Sequence, residues 1–329
     1  MTRSKAPTLL PQPAGPPWWG SVMGTAILAN LASLHGYSVP AWLILAIAWI
    51  LLIAQSVGFA RRVHHDRTVL TDALTIPGEA TGWGMVSMGI LAVGAATAQI
   101  IPDTWGIDAV LWTIGTILGI AITPWFCAKI LTHRAGQPVF AWGLPVVAPM
   151  VSATGGANLS GHVPPAFELP TLVVATGCFA LTLTCALPIF AYVYAHGWPP
   201  INASVSAFIP LGVVGQSTAA AHALSQHWER HGWHWTDAAD HYGIIMACIG
   251  VCAVPWAYAS LIRGLRNHMA FTPGWWASTF PIGTCCLGSW AQGWTGVSQV
   301  FLILLAINWL WAGSGSVLAC VRHHQHSHA

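Results

Sequence analysis

FTPGWWASTFPIGTCCLGSWAQ, residues 271–292, decides how the chain must be read. At 1.5 Å per residue it is long enough to cross the hydrocarbon layer of a bilayer, and it carries no charge. Yet Pro281 stands in its middle, with Gly283 and Gly288 close behind. A proline inside a helix removes one backbone hydrogen bond, and lipid cannot supply a substitute. Such a break belongs where protein or water can meet the freed carbonyl.

The motif around Pro281 recurs. Its five copies are Ser21-Val22-Met23-Gly24, Ser87-Met88-Gly89, Ala148-Pro149-Met150-Val151, Ile209-Pro210-Leu211-Gly212 and Phe280-Pro281-Ile282-Gly283. Counted at residues 24, 89, 151, 212 and 283, the steps are 65, 62, 61 and 71 residues. Each step holds two membrane crossings and their loops, so the spacing predicts five helical hairpins of similar build around a shared feature.

Composition agrees. Of 329 residues, 55% are hydrophobic and 6% charged, against about a quarter charged in soluble domains. This is an all-α polytopic membrane protein, and its 20 tryptophans suit interfacial anchoring. A formal charge of +2 offers no basis for nucleic-acid binding. The eight cysteines lie in or beside apolar segments without the spacing of a metal site, so they read as small buried hydrophobes, with no metal or cofactor expected.

Ten apolar segments are expected at about 18–34, 40–60, 82–100, 106–129, 139–157, 169–194, 203–225, 240–262, 271–292 and 297–320. They form one domain over 18–320, between an N-terminal arm at 1–17 and a histidine-rich tail at 321–329. The arm carries Arg3 and Lys5 before a proline-rich run, which reads as an exposed lead-in to a retained helix. With ten crossings, Arg230 is the one basic residue separated from the other ten Lys and Arg. That imbalance places both termini in the cytoplasm. The link at 61–81 mixes charges with apolar residues and reads either as a short amphipathic interfacial segment or as a plain loop.

The odd-numbered segments carry the motif and many small residues, whereas the even ones are bulky, as in WLILAIAWILLI at 42–53. Small, broken helices belong inside a bundle and bulky ones against lipid. Five kinked inner helices around a central pore, with pseudo-five-fold symmetry, follow as the expectation. The residues expected to line the pore are Gly24, Thr25, Gly89, Pro149, Thr154, Pro210, Gly212, Gln216, Thr279 and Gly283. No charged residue or histidine falls in the central turns of these segments, which disfavours a proton-driven pump. Hydroxyls, amides and backbone N–H groups at helix breaks are instead suited to solvating an anion weakly. His222 lies nearer a helix body than the other histidines and is a candidate pH modulator.

The chain from Trp18 to about Cys320 also resembles the tellurite-resistance/C4-dicarboxylate transporter family, which includes plant slow-type anion channels and fungal sulfite efflux pumps. The carrying stretches are Val22-Met23-Gly24-Thr25, WGLPVVAPMVSATG at 142–155, Pro210-Leu211-Gly212 with Gly215-Gln216, and GWWASTFPIG at 274–283. The resemblance implies a ten-helix protomer with an anion path along its own axis, assembled as a homotrimer in the plasma membrane, here a bacterial inner membrane. It also implies a phenylalanine gate beside a helix kink, the position held by Phe280 before Pro281. Under this reading the protein is not an enzyme and has no catalytic residues; its partners are small anions and membrane lipid. Two alternatives stand beside an uncoupled channel or transporter. One is proton-coupled export of a dicarboxylate, sulfite or tellurite; the other, from a different class, is a membrane-embedded redox protein.

Overall fold

A computed structural model of the protein describes residues 15–327, with side chains described as far as Val321. Most of the N-terminal arm, and the tail histidines at 323, 324, 326 and 328, lie outside the described backbone or side chains. The described chain is helical throughout: α1 (Trp19–Leu34), α2 (Ser38–His65), α3 (Thr68–Thr75), α4 (Pro77–Ile100), α5 (Trp105–Leu131), α6 (Gly143–Ser160), α7 (Pro165–Ala195), α8 (Ile209–Glu229), α9 (Thr236–Arg266), α10 (Phe280–Ala291) and α11 (Thr295–Ser327). The link after α2 thus forms a short helix, α3, whose exposed Leu70 and Leu74 lie four residues apart, on one face. The final helix continues to Ser327, through most of the stretch expected as a separate tail.

Among the described residues, seven segments are long and apolar enough to cross a membrane: α2, α4, α5, α7, α9, Ile201–Glu229, which contains α8, and Thr295–Val321 within α11. Burial divides them sharply. In the most apolar window, 78% of the α4 residues and 89% of those in Ile201–Glu229 are buried, against 17% in α2 and 22% in α11. The short helices α1, α6 and α10 are buried along almost their whole length. On α2, Val39, Leu43, Ile47, Ile50, Ile53 and Val57 are exposed at a three-and-four spacing that marks one helix face, with Trp42 exposed beside them. Water would not accept such a stripe; lipid does.

The five buried helices close on themselves. α1 packs on α4, α4 on α6, α6 on α8, α8 on α10, and α10 returns to α1. Each also packs against the exposed helix that follows it, α1 on α2, α4 on α5, α6 on α7, α8 on α9 and α10 on α11. Small residues permit the inner contacts, because association in lipid depends on close packing and not on water exclusion. At Gly84 a Cβ would strike the backbone of Leu144 and Pro145 on α6; at Gly215 it would strike that of Thr284 and Cys285 on α10.

Tryptophans do more than anchor the interface. Trp49 Nε1 donates to Thr97 Oγ1 at 3.0 Å, joining α2 to α4, and Trp112 Nε1 donates to the Ser152 carbonyl at 2.9 Å, joining α5 to α6. Trp309 Nε1 donates to Thr25 Oγ1 at 2.9 Å, joining α11 to α1.

Prolines fall differently from the expectation of kinked inner helices. Pro210 and Pro281 occupy the first turns of α8 and α10, where no helical hydrogen bond is lost. The preceding residues form 3-10 turns, Ile201–Phe208 and Pro273–Ser278, so these two inner segments are interrupted and not bent. Among the inner helices only α6 encloses a proline, Pro149; the remaining interior prolines are Pro124, Pro170, Pro188 and Pro255 on outer helices.

Candidate functional site: an axial cavity above Phe280

All five inner helices border a cavity of about 420 Å³, with Asp108 and Trp112 of α5 also in its wall. Each contributes: Ile27 and Asn30 from α1, Leu91 and Gln99 from α4, Val151 and Thr154 from α6, Gln216 and His222 from α8, and Phe280 and Leu287 from α10. Its wall mixes aliphatic and aromatic side chains, among them Ile27, Leu34, Leu91, Val151, Phe280 and Trp290, with the amides Asn30, Gln99, Asn158 and Gln226 toward the C-terminal ends of their helices. Among the described residues, no lysine or arginine lines it. A second cavity, of about 540 Å³, lies outside the ring between α2 and α3 and includes His64 and Arg67.

Phe280 is the first residue of α10 and is 3% exposed. Its ring reaches the cavity because Pro281 starts the helix at that point, fixing where the side chain leaves the backbone. Thr154 and Gln216 also line the cavity, and Gln216 Nε2 donates to Thr154 Oγ1 at 2.8 Å. The other end of that amide, Oε1, is buried without a partner.

The remaining sequence-derived positions sit elsewhere in the ring. Gly24 packs against Thr279 and Trp276, Gly89 against Trp19 and Val22, and Gly283 against Ile27, so these glycines lie at helix contacts. Thr25 turns toward α11 through its bond from Trp309. Pro149 backs onto Gly119 of α5, whereas Gly212 faces Val147 and Pro281 with ordinary van der Waals spacing. Pro210 and Thr279 are buried, and the Thr279 hydroxyl donates to the Trp276 carbonyl at 2.7 Å.

Thr279 is typical of the inner hydroxyls. Ser21, Thr218, Ser278 and Thr284 likewise donate to carbonyls of their own or the preceding turn, and Ser87 donates to the Gly115 carbonyl. A hydroxyl has one proton, so these groups keep none for an anion. Side-chain amides and rings supply the cavity's polar surface.

Two ionisable side chains enter it. The His222 ring, 6% exposed, places Nδ1 at 2.9 Å from the Thr218 carbonyl and Nε2 at 2.9 Å from Asp240 Oδ1 on α9. The second is Asp108, in the first turn of α5 and 3% exposed. Asp108 stands on an outer helix, and helical spacing on one segment says nothing about reach between two. The signal that pointed to it lies on another helix: Gly94 of α4 leaves the room that Asp108 Oδ1 occupies, and a Cβ there would come within 2.6 Å of it. Asn30, Gln99, Asn158 and Gln226, each an amide near the end of its apolar segment, also line the cavity.

A closed ring of buried helices surrounds a cavity whose wall, among the described residues, includes no lysine or arginine. Residues 14–321 match the family model described as voltage-dependent anion channel, SLAC1. The chain belongs to that family. It is also similar to the sulfite efflux pumps of Arthroderma otae and Trichophyton rubrum, each 25% identical over 315 residues, covering 88% of this chain and 84% of the relative. The protein is therefore a multi-pass membrane protein of an anion-transporting family, a transporter or channel and not an enzyme. Among the described residues, no group of three or more His, Cys, Asp or Glu is arranged to hold a metal ion.

Proposed function

We propose that the chain crosses the membrane ten times, as five hairpins with pseudo-five-fold symmetry, and passes small anions along the axis of each protomer. The observation that carries this reading is the axial cavity, lined by all five inner helices and floored by Phe280. Phe280 acts as the gate, with Pro281 fixing its position. Thr154 and Gln216 provide polar contact beside it, and Gly24, Gly89 and Gly283 let the helices approach closely enough to keep the path narrow. Three protomers assemble in the plasma membrane with both termini cytoplasmic, so the cavity opens outward and the clustered basic residues lie inside.

Substrates are monovalent inorganic anions and small oxyanions, with sulfite a member of the set by analogy with the fungal pumps. A panel of chloride, nitrate, sulfite, tellurite and malate fluxes in proteoliposomes, with and without a proton gradient, tests this. Flux of one or more anions above that of empty vesicles is expected; none from correctly folded protein would refute the pathway.

Proton-coupled export is the second reading, favoured by the presence of His222 and Asp108 in the cavity. The ring nitrogens of His222 face two acceptors, so both are satisfied when the ring carries two protons. A cationic ring at the cavity wall attracts anions, with Asp240 and Asp108 the opposing charges around it. His222→Gln, which removes that ring, should therefore lower anion flux in proteoliposomes. Unchanged flux would remove His222 from the mechanism.

A further inference from the structure

The cavity of about 540 Å³ outside the ring is walled by Phe59, Ala60, Val63 and His64 of α2, by Arg67, and by Leu70 of α3. One side chain holds both walls. The Trp83 ring of α4 meets Phe59 edge-on at 5.8 Å, and its Nε1 donates to the Ala73 carbonyl of α3 at 3.1 Å. Ala73 is buried, whereas Leu70 and Leu74 are exposed, and Arg67 stands on their face, three and seven residues before them. On α2 the lipid-facing stripe from Val39 to Val57 continues at the same spacing through the exposed Ala60 and His64 into this groove. Charge collects at the same place: residues 61–67 hold three arginines and two histidines against one acidic residue, Asp66. Asp66 Oδ1 accepts from the Thr68 amide at 2.8 Å and the Thr68 hydroxyl at 2.7 Å, and Asp72 lies on the opposite face of α3 from Leu70 and Leu74.

From this arrangement we propose that the groove between α2 and α3 binds an anionic phospholipid. The phosphate oxygens accept from the Arg67 guanidinium and from a His64 ring N–H, which an imidazole retains even when neutral. One acyl chain lies along Phe59, Val63 and Leu70 and continues down the α2 stripe, so the apolar wall and the basic rim are filled by one molecule. A soluble phosphate would leave the apolar wall bare, and a zwitterionic lipid brings a cation of its own that competes with Arg67. The site is independent of what passes through the ring; it takes from the proposed topology only the leaflet, which is the cytoplasmic one.

The test is native mass spectrometry of the full-length protein in mixed micelles holding equal amounts of phosphatidylglycerol and phosphatidylcholine with matched acyl chains. Wild type should retain phosphatidylglycerol in preference. Arg67→Gln should weaken that retention about fivefold, the weight of one basic residue close to an anionic lipid surface. Arg266→Gln removes the same charge from an exposed position in the last turn of α9 and should leave retention unchanged. Equal retention of the two lipids by wild type would overturn the inference. Equal losses in the two variants would also overturn it, because the preference would then belong to overall surface charge. Thermal unfolding of wild type supplies a measure that needs no variant: phosphatidylglycerol should raise the midpoint by several degrees, and glycerol 3-phosphate at the same concentration should not. An equal rise with glycerol 3-phosphate would assign the groove to a soluble phosphate and overturn the lipid site.

Discussion

Phe280→Ala is expected to raise anion flux through proteoliposomes by more than tenfold while the protein still folds. A buried aromatic ring at the floor of an axial cavity excludes water from the narrowest part of the proposed path, and a partly dehydrated anion meets it as a barrier. If the ring imposes even about 2 kcal/mol, its removal is worth more than a factor of ten in rate. Truncation also removes packing, at a cost of about 3 kcal/mol where the site cannot collapse. Because Phe280 already borders a cavity, part of that cost is absent, and the variant should remain monodisperse in size-exclusion chromatography. Wild-type flux from a well-folded Phe280→Ala protein would move the gate to another residue. Phe280→Leu should fall between the two, since a branched aliphatic side chain closes less of the opening.

The largest effect on stability is expected from Gly215→Val. At this position α8 lies against the backbone of α10, and the Cβ of any other residue would overlap the Thr284 carbonyl and the Cys285 amide nitrogen. The contact is reciprocal: a Cβ at Gly288 would come within 2.6 Å of the Gly215 carbonyl oxygen. Backbone atoms have no rotamer to yield, so the helices must separate or the ring must distort. A loss of about 3 kcal/mol or more follows, at the upper end for overpacked sites. Valine should shift the thermal unfolding midpoint down sharply or abolish recovery of monodisperse protein. Gly177→Ala on α7 is the control, because nothing lies within 4 Å of its added methyl group. There alanine should be neutral or slightly stabilising, since glycine costs a helix about 0.5–1 kcal/mol. Equal behaviour of the two variants would show that α8 and α10 do not pack as described.

Much of the outer architecture was legible because it depends on periodicity. The stripe from Val39 to Val57 faces lipid for the same reason that WLILAIAWILLI reads as a lipid-facing helix, and the small residues of α6 and α8 are buried as their composition implied. The prolines were harder to place. Pro281 in the middle of an apolar stretch reads as a kink, yet the chain forms a 3-10 turn before it and starts α10 at Phe280. Turn and kink share the same residue signature, and packing of the preceding tryptophans decides between them. Trp276 Nε1 donates to Ser316 Oγ on α11 at 3.0 Å, and Trp275 stacks on Trp311, also on α11, at 3.9 Å. Both partners are more than thirty residues away in sequence.

The hydroxyls illustrate the same point at atomic scale. Thr25 and Thr279 both read as lining an axial path, but their bonds to Trp309 and Trp276 direct them elsewhere. Apolar content was sufficient to establish a helical membrane protein, because lipid forces every spanning segment to satisfy its own backbone and to expose apolar side chains. Which side chains meet at the centre was decided only in three dimensions. Asp108 reaches the cavity from an outer helix across Gly94, a juxtaposition set by the rotation of α5 against α4, which no pattern within either helix encodes.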